Sequence, residues 1–393
     1  MTGGPAEGRR QLRTLYAAGF VTAFGAHAVA ANLGGYSHGH RTSLLELGVL
    51  LALYDGAEVV LKPLFGALAD RIGPKPVILG GLVGFGLVSG AFALAGGPAT
   101  LALARFGQGA AAAAFSPAAG AMVARLGGPG RRGRAFGGYG GAKGLGYLAG
   151  PLVGGAVVSA GGYSALFAVL GVVAIVVAAC VAVGVQAVAP APRSRETLAG
   201  LARRIKEPAF VIPVAVLAAG TAALSSGVGF LPVRGAADHL GPLATGAIVS
   251  LLALTAAVVQ PQVGWSLDTT PIPPARLAAM GIVACAGGFA AAAVVHGPLG
   301  LCAAAVAIGF GVGLSTPVGF TLLAEAAPEG RMGQTMGAGE VGRELGDAGG
   351  PLLVGAVAAA GLGVGFAALA VVLAATSVAI GRRPARQVDG ASD

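Results

Sequence analysis

Residues 54–79 read YDGAEVVLKPLFGALADRIGPKPVIL. The first half is apolar but carries Asp55, Glu58 and Lys62, spaced i, i+3, i+7 and therefore on one face of a helix. The second half, GALADRIGPKP, concentrates glycine, proline and charge and predicts a turn. A charge in the middle of a membrane-spanning helix costs about 2.5–3.5 kcal/mol on insertion scales, so three of them need a function or a partner.

The surrounding composition makes a membrane the expected solvent. The chain has 393 residues, 55% hydrophobic and only 10% charged, with mean hydropathy +0.81. A soluble domain carries roughly 25% charged residues, so a large soluble enzyme is excluded. The net charge of +9 sits in short clusters between apolar runs, as a topology signal does, and no nucleic-acid partner is expected. Cys180, Cys285 and Cys302 lie inside apolar runs without CxxC spacing, so neither disulfide nor metal is expected. His38, His40, His239 and His296 are too scattered for a metal site, and SHGH (37–40) reads as a solvated loop. The first apolar run is too long for a cleavable signal peptide.

Counting apolar runs of about 20 residues as spans gives twelve: 12–34, 44–67, 77–95, 99–124, 135–159, 164–187, 209–231, 242–265, 277–296, 298–326, 335–359 and 364–381. With the N-terminus inside, nineteen lysines and arginines fall on the inner side and only Arg41 and Arg234 outside. That asymmetry predicts cytoplasmic N- and C-termini. The proline-rich stretch 188–208 reads as a cytoplasmic linker between a six-helix half at 1–187 and another at 209–393.

The halves repeat each other. Shifted by 200, residues 130–157 match 330–357 at twelve of 28 positions, among them Gly150/Gly350, Pro151/Pro351 and Gly155/Gly355. Shifted by 198, KPLFGALAD (62–70) matches QPQVGWSLD (260–268) at Pro63/Pro261, Gly66/Gly264 and Asp70/Asp268. Parallel repeats of this kind place a substrate site between the halves near mid-membrane.

GALADRIGPKPVIL resembles the loop 2–3 signature of the major facilitator superfamily, with Gly66, Asp70, Arg71, Gly73 and Lys75 at the expected places and Pro74 where a basic residue is usual. LALARFGQGAAAA (101–113) resembles the signature around an embedded arginine, here Arg105. GYLAGPLVGG (146–155), with Gly146, Gly150, Pro151 and Gly155, looks like the fifth-helix signature of the drug:proton antiporter branch. The resemblance implies an all-α integral membrane protein of twelve transmembrane helices. It also implies that Asp70 meets the N-terminus of the eleventh helix around residues 334–337, gating the cytoplasmic side with Arg71 and Lys75. Arg71 and Lys75 also read physically as positive-inside anchors. The Gly146–Gly150–Pro151 face, and its repeat at Gly350 and Pro351, is a packing seam or a hinge.

The resemblance also makes the second and eleventh helices neighbours. Glu340, Glu344 and Asp347 share one face of the eleventh, as Asp55, Glu58 and Lys62 do on the second. At 1.5 Å rise per residue, Glu58 and Glu344 lie roughly 4–5 Å, and Lys62 and Glu340 roughly 10 Å, to the cytoplasmic side of Asp55 and Asp347. The expected gate is a ladder of Lys62 with Glu340 and Glu58 with Arg343. Asp55 and Asp347 remain as the first candidates for proton binding, with Glu58 and Glu344 beside them; satisfied ion pairs that only hold the halves together are the bland reading. Arg105 lacks the first-helix acid usual in relatives, so Asp55 or Glu46 is its expected partner. His27 reads as a hydrogen-bonded core histidine, and Lys143 lines the cavity or pairs with an acid.

The expected function is secondary active export of a small organic compound by proton antiport with alternating access, in the plasma (inner) membrane. The partners expected are the substrate, protons and the lipid bilayer, acting on a monomer. The alternatives are a metabolite uniporter or symporter, and a non-transporting membrane sensor. No P-loop GxxxxGK[ST] occurs, so no cofactor beyond the proton gradient is expected. No loop is long enough to hold a catalytic site, so no enzyme is expected. With 6% aromatic residues and Trp265 the only tryptophan, the substrate is unread beyond a leaning toward cations.

Overall fold

A computed structural model describes residues 5–39, 44–92, 98–188, 190 and 207–381. The linker expected at 188–208 lies almost wholly outside the described residues, as do Arg41, His40 and the side chains of His38 and Glu46. Among the described residues the chain forms eleven α-helices and one short 3-10 turn, with no strand. They are α1 (Pro5–Gly39), α2 (Leu44–Ile72), α3 (Pro74–Phe92), α4 (Pro98–Gly127), α5 (Arg132–Gly184) and α6 (Pro208–Ala237). Then follow α7 (Pro242–Thr269), α8 (Pro274–Val294), α9 (Gly297–Glu325), α10 (Met332–Val357) and α11 (Leu362–Gly381). Many begin at a proline, whose missing N–H costs nothing in the first helical turn.

Two sequence expectations change. The segment GALADRIGPKP is not a turn throughout: α2 runs on to Ile72, and only Gly73, at φ +91, breaks the helix before Pro74 starts α3. A left-handed backbone favours glycine, and only one residue here supplies it. The fifth and sixth apolar runs follow each other without a loop in α5, 53 residues that form two helical arms joined across a kink. Its break is Gly162, at φ 74 and ψ −178, a conformation open essentially to glycine alone. The chain reverses there. Gly138, before the break, lies against Tyr16, and Gly184, after it, lies against Thr14. The two arms of α5 therefore run antiparallel. Residues 35–39, GYSHG, have the spacing of a hydrolase nucleophile elbow, but such an elbow needs a strand-to-helix turn. Here they continue α1.

Among the described residues seven helices are long and apolar enough to cross a membrane, by length and composition. Large apolar side chains are exposed around the bundle, among them Leu103, Val183, Leu299 and Leu352, as expected where lipid is the solvent. One apolar core draws only on residues between Val216 and Ile380, with Phe289, Ile308 and Phe366 at its centre. A second packs α1, α3, α4 and both arms of α5, and reaches Leu217, Leu323 and Met336 across the bundle. Arg71, Lys75, Arg125, Arg131, Arg132, Arg134, Arg276 and Arg331 sit at helix ends joined by the turns at 73, 128–131, 270–273 and 326–331, here called the basic end.

Replacing Gly162 by alanine tests the break. Nothing lies within 4 Å of a Cβ there, so the cost is backbone strain alone, about 1–3 kcal/mol. The Gly80→Ala variant, equally uncrowded but at an ordinary helical φ, should melt at the wild-type temperature in detergent while Gly162→Ala melts lower.

Candidate functional site

At the basic end, two aspartates tie helices together across the bundle. Asp70, near the end of α2, accepts hydrogen bonds from the Gly333 and Gln334 amides, both at 2.8 Å. These are free N–H groups in the first turn of α10, where the helix dipole also favours a carboxylate. Asp268, near the end of α7, does the same to α5: it accepts from the Gly133 amide at 2.9 Å and the Arg134 amide at 3.0 Å. Each aspartate keeps an arginine nearby, Arg125 at 3.8 Å from Asp70 and Arg134 at 3.3 Å from Asp268. Glycines let the backbones meet. A Cβ on Gly66 would collide with the Gly333 carbonyl, and one on Gly264 with the Gly133 carbonyl. The Asp268 contact was not anticipated, although the Asp70/Asp268 repeat carried the signal. Arg71 is exposed, and Lys75 Nζ donates to the Ala182 carbonyl at 2.6 Å, tying α3 to α5.

Further along α2 and α10 lies a charge cluster. Lys62 is fully buried, 0% exposed, and its Nζ reaches Glu344 at 2.6 Å, Glu340 at 3.3 Å and Glu58 at 3.3 Å. Gly337 makes this reach possible: a Cβ there would stand 2.6 Å from the Lys62 carbonyl, so α10 lies directly on the α2 backbone. Arg343 completes the cluster from α10, at 3.2 Å from Glu340 and 3.1 Å from Glu344. The expected Lys62–Glu340 contact is formed. The expected Glu58–Arg343 contact is not, because Lys62 occupies the space between them and Arg343 turns to the acids on its own helix. Glu58, Glu340 and Glu344 are all buried.

The corresponding level of the α5–α7 interface carries no carboxylate. Gln260 takes the place of Lys62, and Gly140, Lys143, Gly144 and Tyr147 take the places of Glu340, Arg343, Glu344 and Asp347. Gln260 is buried against Gly140, and its Oε1 has no hydrogen-bond partner. Beyond this contact α5 and α7 part. A cavity of about 590 Å³ separates Leu148 and Leu152 from Ser250, Leu251 and Leu254. On the other interface Asp55 is exposed and Asp347 half-buried, and neither has an ion-pair partner among the described residues. The helices thus meet at the basic end and diverge from it.

Arg105 is not paired with Asp55. It is buried, its Nη1 donates to Gln108 at 2.6 Å, its Nε to the Leu50 carbonyl at 3.2 Å, and it lies 4.6 Å from the Tyr54 ring centre. His27 hydrogen-bonds the Ala23 carbonyl at 3.1 Å and packs 4.4 Å from the Tyr147 ring. Lys143 has no ion-pair partner among the described residues and lies 5.7 Å from the Tyr139 ring centre. Gly146 and Gly150 press α5 onto α1, where a Cβ would come within 2.5 Å of the Phe20 carbonyl and 2.8 Å of the Phe24 carbonyl. Gly350 presses α10 onto α6 at Ala222 in the same way, and Pro151, Gly155 and Pro351 lie along the same helices. Among the described residues no group of three His, Cys, Asp or Glu fits a metal ion, and Cys180, Cys285 and Cys302 are free thiols.

The two aspartate contacts predict matching behaviour. In a variant with its native cysteines replaced by serine, Met336→Cys places a reporter thiol at a fully buried position beside Gly120. Losing an aspartate cap to alanine costs about 1–2 kcal/mol, so Asp70→Ala and Asp268→Ala should each speed alkylation of that thiol roughly five- to thirty-fold. A rise with Asp70→Ala alone would leave only one of the two contacts holding the basic end shut.

Comparison with known proteins agrees with this geometry. The sequence model of the Major Facilitator Superfamily matches residues 15–351 and 230–387. The chain is 36% identical over 110 residues to the class B tetracycline resistance protein of Escherichia coli, 28% of this chain and 27% of that one. It is 36% identical over 142 residues to the probable actinorhodin transporter of Streptomyces coelicolor, 36% of this chain and 23% of that one. The puromycin resistance protein pur8 of Streptomyces alboniger shares 46% over 91 residues, 23% of this chain and 18% of that one. The chain thus spans only about a quarter or less of these relatives' lengths. In fold it is similar to the E. coli fucose:proton symporter, with TM-score 0.80 at 14% identity over 95% of this chain and 98% of that one. The human organic anion transporter MFSD10 gives 0.79 at 16% over 96% and 100%. A model match over most of the sequence, on an all-helical bundle with repeated inter-helix locks, shows that this multi-pass membrane protein belongs to the major facilitator superfamily of transporters.

Proposed function

We propose that the chain exports small organic compounds by proton antiport, through alternating access between two six-helix halves, 1–187 and 209–393, that together make twelve spans. Both termini and the basic end face the cytoplasm of the plasma (inner) membrane. The protein acts as a monomer and uses no cofactor beyond the proton gradient. The observation that carries this reading is the charge count of the α2–α10 cluster. Within ion-pair distance Glu58, Glu340 and Glu344 oppose Lys62 and Arg343, one carboxylate more than there are cations, while Lys143 acts on Glu340 only from beyond that distance. Burying an uncompensated charge is costly, and one proton removes that cost. Closing the basic end thereby favours a protonated cluster, and opening it releases the ion pairs to water and the proton to the cytoplasm.

The α5–α7 interface supports the same reading, because Asp268 caps α5 there as Asp70 caps α10, yet no carboxylate–lysine cluster follows it: Gln260 stands where Lys62 does, and glycines stand where Glu340 and Glu344 do. The fold does not require the α2–α10 acids, so a coupling role accounts for them. Asp55 and Asp347 border the space where the helices diverge, and they pass protons between that space and the cluster. Drug and antibiotic resistance proteins among the partial matches favour export over uptake.

In everted vesicles the wild type should release lumenal protons when a transported compound is added. The variants Asp55→Asn and Asp347→Asn should insert at wild-type levels and lose proton-driven efflux. Normal efflux in both variants would end the proposed coupling.

A further inference from the structure

A cavity of about 520 Å³ opens at the basic end, between the start of α1, the end of α4 and the start of α5. Its volume falls within the roughly 300–1,000 Å³ of small-ligand sites. Arg9, Arg125, Arg131 and Arg134 line it, over an apolar wall that includes Leu12 and Leu126. Arg125 and Arg134 are shared with Asp70 and Asp268, as described above. Arg9 and Arg131 have no ion-pair partner among the described residues, and both are exposed. The nearby acid Glu7 makes no ion pair with either among the described residues. It accepts a hydrogen bond from Gln186 Nε2 at 2.5 Å, and the Gln186 amide donates in turn to Gln11 at 3.1 Å. These bonds fix one wall, so the cavity has a rigid frame around excess positive charge.

We propose that this cavity is a binding site for a phosphate ester. Guanidinium groups bind phosphate through paired N–H···O bonds, and four converging on one cavity can share the non-bridging oxygens of a single phosphate. Basic pockets between helices at a membrane face take phosphorylated groups of this kind. The phosphate arrives either on an anionic lipid, its chains over Leu12 and Leu126, or on a small soluble molecule. The site is separate from the α2–α10 cluster, and its occupancy does not depend on the direction of transport.

The test uses purified full-length protein in an uncharged detergent. Inorganic phosphate and glycerol phosphate are titrated with melting temperature as the readout. Phosphatidylglycerol and phosphatidylcholine are compared by native mass spectrometry of the lipid-bound protein. The double variant Arg9→Gln/Arg131→Gln, altered only at exposed side chains, should keep the wild-type melting temperature without ligand. It should bind roughly tenfold more weakly or worse. Arg276→Gln, also at the basic end but outside the cavity, should bind as wild type. Stabilisation by the soluble phosphates assigns the site to a free ester; retention of phosphatidylglycerol alone assigns it to a lipid headgroup. No binding from either source overturns the proposal, and so does equal loss in Arg276→Gln, which would mark diffuse surface attraction.

Discussion

The ammonium of Lys62, fully buried and held by three glutamates, is the interaction on which the rest of the α2–α10 interface depends. A lysine side chain can bridge two helices only if their backbones come close, and Gly337 lying on the Lys62 carbonyl provides that approach. Glu340 and Glu344 sit one turn apart on the facing helix, so both carboxylates reach the same nitrogen. Removing one partner from such a buried group costs about 3–5 kcal/mol, and that makes the contact a strong two-state element. Water entering the interface would dissolve it, so the cluster holds only while the basic end is shut.

The bundle applies one packing solution twice and adds charge once. Gly66 on Gly333 and Gly264 on Gly133 are equivalent contacts, and Asp70 and Asp268 cap equivalent helices. On one side the next turn holds five charged groups; on the other it holds Gln260 against glycine. Asp70 and Asp268 each lock the first turn of a helix in the other repeat, and only the α2–α10 contact continues into a buried cluster of ion pairs. Under the proposed function, this division separates what closes the molecule from what couples closure to an ion gradient.

Much of this was legible in the sequence. The apolar runs give the helices, because hydrophobic length is a strong constraint in a membrane. The Asp70 contact and the pairing of Lys62 with Glu340 follow from a signature and from equal depths on facing helices. Three features resisted. Helical residues 66–72 read as a turn, since glycine and charge are turn signals in water but pack between helices here. The direction of Arg343 depends on how Lys62 fills the space before Glu58, which spacing along a helix does not encode. The arginine cavity gathers Arg9, Arg125 and Arg131 from three separate segments, each of which reads alone as an ordinary anchor. Asp268 is a different case: the repeat marked it, and its partner at Gly133 follows once the two repeats are superposed.

The central claim is that the closed cluster carries one proton. Infrared difference spectroscopy of the purified protein at neutral pH measures this directly, through the stretch of a protonated carboxyl buried from water. The expected result is one such band in the wild type, lost in Glu58→Gln and retained in both Asp55→Asn and Asp347→Asn. A wild-type spectrum without a protonated carboxyl, or a band unchanged by Glu58→Gln, would contradict it.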